Sequence, residues 1–184
     1  MATLAPTITV ADYKVLPETG PQYQLIEGTL HMSPSPSRFH QHISRNLEFI
    51  ILQWIKNGDG CGEVYDAPLD VYLDNVNVFQ PDLIYVAPEN YGILVDAGVE
   101  GAPDLVVEIL SPSTRKIDLG PKKEIFATHG VKEFWAIDPV TKIVDLFDLS
   151  KDVDLPEKTF GEVDQMTSTI LPGLVIDLAE VFEM

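Results

Sequence analysis

Apolar and polar positions change period several times along this chain. Tyr23–Ile26 and Thr29–Met32 are short runs on either side of Glu27-Gly28, which predicts a hairpin. Ile43, Leu47, Ile50, Ile51 and Trp54 then recur at helical spacing. The Ser33-Pro34-Ser35-Pro36-Ser37 run sets the start of that helix, and Asn57-Gly58 suits its C-terminal cap. Upstream, a short helix is expected over Val10–Leu16 with Thr9 as its cap, ahead of a turn at Pro17–Gly20.

Beyond the long helix the pattern becomes strand-like. Gly62–Leu73 reads as one strand and Val78–Val86 as a second, with a turn at Asp74–Asn77 between them. The second contains Gln80-Pro81-Asp82, and a proline there favours an edge, a bulge or a strand start. Pro88–Gly101 reads as a loop with a short helix. In Asp104–Leu110, Leu105, Val106, Val107, Ile109 and Leu110 surround a single Glu108. Such a run marks a central strand covered on both faces. A helix follows from about Thr114 to His129, where Gly130 stops it; Gly120-Pro121 offers Pro121 as an alternative start, because proline suits the first helical turn. Glu133–Ile137 and Ile143–Leu149 are two further strands joined at Asp138-Pro139, and Thr167–Phe182 adds a strand and a closing helical turn. Strands and helices mixed around a sheet predict an α/β or α+β fold, with residues 1–184 as one domain.

Composition narrows the setting. With 45% apolar residues, 184 residues can bury a core. No apolar run approaches the roughly 18 residues that cross a bilayer, and Met1–Lys14 lacks the pattern of a secretory signal. Cys61 is the only cysteine, which excludes an internal disulfide and a zinc cluster. A reducing cytoplasm is the expected compartment. The net charge of −17, with only 12 Lys and Arg, opposes broad contact with a polyanion. Any nucleic-acid contact is therefore expected to be local, bridged by a metal, or made by a partner.

Three positions carry candidate chemistry. Asp82 follows a proline, Glu108 interrupts the most apolar strand, and Lys122 lies in the helix after it. A carboxylate in an apolar run is costly to bury unless it is paired or binds a metal. Two carboxylates on neighbouring strands could supply oxygen ligands to Mg²⁺, and a lysine could act on the attacking water or on developing charge. The residues alone leave blander readings open. From spacing alone these are favoured: Asp82 as a turn cap, Glu108 as a partner of a buried lysine, and Lys122 as a partner of Asp118 four residues earlier.

Six runs occur in a telling order: Gln24-Leu25-Ile26-Glu27-Gly28, Met32-Ser33-Pro34-Ser35-Pro36, His40-x-x-Ile43, Gln80-Pro81-Asp82-Leu83, Pro103–Thr114 and Gly130-Val131-Lys132-Glu133-Phe134-Trp135. This series resembles the Uma2 family (DUF820), bacterial proteins described as nucleases and abundant in cyanobacteria, which in turn resembles the PD-(D/E)xK superfamily. The resemblance runs from about Tyr23 to Leu149 and more weakly over Leu171-Pro172-Gly173-Leu174. It implies a restriction-endonuclease-like mixed sheet flanked by helices, and an endonuclease using Mg²⁺ or Mn²⁺. It implies Asp82 as first metal carboxylate and Glu108 as second. The superfamily's usual lysine position, two residues after Glu108, is Leu110 here; Lys122 on the next helix matches a lysine that takes over, with Lys123 beside it as the alternative. Asp118 matches the acidic residue one turn earlier. Glu27 matches a recurring acidic position and is either a further metal-site carboxylate or a hairpin-turn residue. His40 is either a phosphate contact or a polar residue at a helix start. The implied partner is nucleic acid, DNA before RNA, and a homodimer is compatible. The alternative is a nuclease fold without catalysis that acts through protein contacts.

Overall fold

The computed structural model describes residues 7–17 and 19–184; the turn expected at Pro17–Gly20 includes residue 18 and lies partly outside them. Helix α1 (Val10–Tyr13) begins with a capping box. Its Thr9 hydroxyl accepts from the Asp12 amide, and the Asp12 carboxylate accepts from the Thr9 amide at 2.9 Å. Strands β1 (Tyr23–Ile26) and β2 (Thr29–Met32) form the expected hairpin. Its turn places Glu27 at φ 48° and Gly28 at φ 73°, and a Cβ at residue 28 would meet the Thr7 side chain. Helix α2 (Arg38–Lys56) starts where Ser37 accepts from the His40 amide at 3.2 Å. It buries Ile43, Leu47, Ile51 and Trp54 on one face. Among the described residues, no helix is long and apolar enough to cross a membrane.

The run expected as a single strand over Gly62–Leu73 is two: β3 (Glu63–Asp66) and β4 (Val71–Asp74). Pro68 falls between them and has no N–H for a ladder. The expected Val78–Val86 strand also divides, into β5 (Asn77–Phe79) and β6 (Leu83–Val86). Gln80-Pro81-Asp82 is the link between two sheets, so Asp82 stands just before a strand and not within one. A 3₁₀ turn over Pro88–Ile93 leads to β7 (Leu94–Val95) and β8 (Gly98–Glu100), a small hairpin in what reads from sequence as a loop. Strand β9 (Leu105–Ile109) is buried at all five positions, as expected.

The helix expected over Thr114–His129 is broken. Helix α3 (Arg115–Ile117) runs into a wide π-type turn at Asp118–Lys122, where Gly120 is non-helical (φ −110°, ψ −108°), and α4 (Lys123–His129) follows. Strands β10 (Glu133–Asp138) and β11 (Ile143–Asp148) come next, then β12 (Lys158–Gly161), β13 (Gln165–Thr167), β14 (Val175–Asp177) and helix α5 (Leu178–Phe182).

One six-stranded sheet has the order β12-β11-β10-β9-β6-β3, and a second has the order β2-β1-β5-β4-β8-β7. In the first, β9 runs parallel to β10 and antiparallel to β6. Strand alternation sorts its side chains between two apolar layers. Leu105, Val107 and Ile109 pack with α2 and the C-terminal segment. Val106 and Leu110 point the other way, to a layer shared with Phe126 of α4 and with Val71 and Phe79 of the second sheet. Glu108 belongs by alternation to that second side.

A buried carboxylate clamps the entrance to β9. Asp104, 2% exposed, accepts from the Ala87 amide at 2.8 Å, from Asn90 Nδ2 at 2.8 and 3.0 Å, and from Lys132 Nζ at 2.7 Å. Burial alone would push its carboxyl up, but these donors hold it below the usual carboxylate range. A carboxyl lowered on folding contributes stability above its unfolded value, and that contribution disappears as pH falls through the folded value. Asp104→Ala should therefore cost about 3 kcal/mol at pH 7. In urea unfolding the cost should shrink towards pH 3; a loss that does not change with pH would count against the charge.

Candidate active site

A cavity of about 670 Å³ opens where the first sheet, the start of α2 and the broken helix meet. Two loops of alternating serine and proline line it, Ser33–Ser37 before α2 and Ser111–Ser113 after β9. Its floor includes Asp82, Glu108, Asp118 and Lys122, and His40 lines one side.

Asp82 reaches it from just before β6, and Glu108 from the adjacent strand β9. The register pairs Leu83 of β6 with Val107 of β9, so the next step sets Asp82 opposite Glu108. Opposite residues of an antiparallel pair share a face. Asp82 is held firmly: its Oδ2 accepts from the Ile109 amide at 2.6 Å and lies 3.2 Å from His40 Nε2, while its own carbonyl accepts from the Ala67 amide at 3.1 Å. Burial disfavours the imidazolium of His40, but the Asp82 carboxylate outweighs this and raises its pKa.

Glu108 is 4% exposed and Lys122 1%. Lys122 Nζ stands 2.5 Å from Glu108 Oε1 and 3.3 Å from Asp118 Oδ1. The first contact has the distance of an ion pair, and Glu108 Oε1 has no other partner among the described residues. Burial opposes the charge of Lys122, but Glu108 and Asp118 more than offset it and the ammonium persists well up the pH scale. Glu108 is pushed up: burial dominates, Lys122 works against it, and the Asp118 and Asp82 charges add to it. The Asp118–Lys122 pair is thus a buried one, unlike the solvated helix pair open in the sequence. Asp118 is the member of this cluster to which sequence reasoning assigned no role at the site.

The structure separates the two adjacent lysines. Lys123 turns away from the cavity, and its Nζ lies 3.9 Å from the Phe147 ring centroid. Burial lowers its pKa. Asp82, Glu108, Lys122 and His40 are brought together. Glu27 is not among them: its side chain is exposed on the hairpin turn, and its amide donates to Asn77 Oδ1 at 2.8 Å. Gln80 lines the cavity, donating from Nε2 to Asp70 at 2.8 Å and from its amide to Gln24 Oε1 at 3.1 Å.

Among the described residues, no three His, Cys, Asp or Glu side chains are already arranged to hold an ion. The donors do suit a hard divalent cation that takes one or two carboxylates and fills its other positions with water and phosphate oxygen. With Glu108 ionised, three carboxylates and one ammonium leave two negative charges, which one such cation neutralises. Glu108 Oε1 is buried with Lys122 as its ion-pair partner and no hydrogen bond, and is an oxygen that can take the cation in place of the ammonium.

The Uma2 family, described as "Putative restriction endonuclease", matches residues 10–179 of the chain. No curated protein matches it significantly. A solved structure from Anabaena variabilis, described as a putative nuclease belonging to DUF820, is similar with a TM-score of 0.78. The alignment covers 95% of this chain and 97% of that one at 20% identity, a likeness of fold. The α+β architecture of mixed sheets and helices expected from sequence is the one observed, and the DUF820 structure shares it.

Proposed function

The chain belongs to the Uma2 family, and from that premise we propose that it is an endonuclease dependent on a divalent cation, Mg²⁺ or Mn²⁺, that hydrolyses phosphodiester bonds of nucleic acid, DNA before RNA. The observation that carries this reading is the meeting in one cavity of Asp82, tied to the end of β9 through the Ile109 amide, with Glu108 of β9 and the Lys122 ammonium. Asp82 and Glu108 would hold the ion, which when bound would polarise the phosphoryl group and lower the pKa of water. Lys122 would hold its proton and set a fixed positive charge beside developing negative charge. His40 would keep Asp82 oriented through Nε2, and the Ile109 amide would fix the same oxygen.

A non-catalytic role in protein contact is the second reading. It is favoured by the net charge of −17 and by a cavity wall in which Lys122 is the one Lys or Arg among the described residues. Metal binding discriminates between them. Mn²⁺ at about 100 times its Kd should raise the Tm by roughly 5–10 °C, because a ligand bound only by the folded state stabilises it. Glu108→Ala should abolish the rise. Since cations also gather on an acidic surface, the comparison with the variant decides: an Asp82→Ala/Glu108→Ala double variant with the wild-type shift would remove the ion from this site.

A further inference from the structure

Asp118 is nearly as buried as Glu108, and nothing so far gives it work to do. Among the described residues, the carboxylates within ion-pair distance of the Lys122 ammonium are Glu108 at 2.5 Å and Asp118 at 3.3 Å. The wide turn at Asp118–Lys122 and the non-helical Gly120 carry both of its end residues inward to line the cavity. A solvated i,i+4 pair would need no such break and would add little to stability.

The closeness of Lys122 to Glu108 creates a conflict. With the ammonium 2.5 Å from Oε1, it and a divalent cation compete for the negative charge of one carboxylate. The ammonium cannot simply lose its partner, because a buried unpaired charge is strongly disfavoured. It needs a second carboxylate within a small movement of its head, and Asp118 stands there.

We infer that Asp118 is a positioning residue that receives the Lys122 ammonium when Glu108 turns to a divalent cation. This rests on the proposed metal site. Lys122 then keeps its present partner Asp118 and gives up Glu108 without leaving the cavity, and its charge stays beside the reacting phosphate instead of screening Glu108. The same exchange keeps the number of paired charges constant as the ion enters, so binding does not strand a buried group.

The test is Mn²⁺ titration by calorimetry in a double-mutant cycle, with far-UV circular dichroism to confirm folding. Asp118→Asn should weaken Mn²⁺ binding roughly tenfold or more, the scale of loss when a partner behind a metal ligand is removed. Asp118→Glu should recover most of it. In a Lys122→Gln background, Asp118→Asn should change the affinity less than about twofold, because the role is exerted through the ammonium. A through-space effect of one lost charge would instead appear in both backgrounds. Equal losses in the two backgrounds, or no loss in either, would overturn the inference and leave the metal site standing. No Mn²⁺ binding that depends on Glu108 would overturn both. A Mn²⁺-soaked crystal of the unsubstituted protein gives an answer without variants. Lys122 Nζ should lie at about 2.7–2.9 Å from Asp118, the length of a charged hydrogen bond, with the Glu108 contact broken; an ammonium still on Glu108 beside bound Mn²⁺ contradicts the exchange.

Discussion

Asp82→Ala or Glu108→Ala should lower Mn²⁺-dependent nicking of supercoiled plasmid by about a thousandfold, equivalent to ~4 kcal/mol of transition-state stabilisation. Each substitution removes one of two carboxylates that line the cavity at the start of β6 and in β9, and among the described residues the one other carboxylate lining it is Asp118. Asp118 cannot substitute, because its neighbour is Lys122. Loss in both variants, with their folding intact by circular dichroism, assigns the activity to this cavity. Identical nicking by wild type and Glu108→Ala would assign it to a contaminant and favour the non-catalytic reading. Wild-type turnover itself should be slow on long DNA, because a chain of charge −17 slows encounter with a polyanion except where a metal bridges them.

Local pattern was enough for the elements that satisfy one rule at a time. The α2 stripe, the β1–β2 turn and the all-buried β9 follow from period, turn chemistry and the cost of an apolar run in water. Glu108 was visible for the same reason: a lone carboxylate in that run demands a partner. The breaks in the two long expected strands were not visible as breaks. Pro68 and Pro81 signal interruption, but which sheet each half joins depends on packing far along the chain: β3 pairs with β6, while β4 pairs with β5 and β8. That crossover is what puts Asp82 at the cavity, so the residue could be singled out while its setting could not. Strand β12 was missed because Lys158-Thr159-Phe160-Gly161 is an edge segment with little burial and hence little apolar alternation.

The charged residues divide in the same way. Lys122 and Lys123 are adjacent, and successive helical residues differ by about 100° in direction. Which of them turns inward depends on the break at Gly120, whose conformation no period reports. Asp118 fits the pattern of a surface pair with Lys122, and only the fold reveals that both ends are buried. Glu27 and His40 each keep a structural alternative from sequence alone; the positive φ of the hairpin turn sends one outward, while the Ser37 cap starts the other's helix beside the cavity. Glu133 carried no signal of its role, although it is a buried carboxylate satisfied by Trp135 Nε1, Ser168 Oγ and the amide and hydroxyl of Thr169.

Lys122→Ala should be the most destabilising single change at the site, costing about 3–5 kcal/mol near pH 8, because it leaves buried carboxylates without their cation. For a chain of this size that lowers the Tm by roughly 10 °C or more. The pH dependence identifies the cause. In the native protein, burial raises Glu108 and the Lys122 ammonium partly restrains that rise. With the ammonium removed, burial and the Asp118 and Asp82 charges act unopposed, so Glu108 lies still further above its unfolded value of about 4.3. A carboxyl raised on folding binds more protons in the folded state, and stability then falls as pH rises past the unfolded value. The deficit of Lys122→Ala relative to wild type should therefore be smaller at pH 5 than at pH 8 in urea unfolding. Acid supplies the proton that Glu108 needs once its cation is gone. Equal deficits at the two pH values would locate the cost in lost packing of the lysine stem against Phe79, whose ring centroid lies 5.8 Å from Nζ, and not in the charge of the carboxylates.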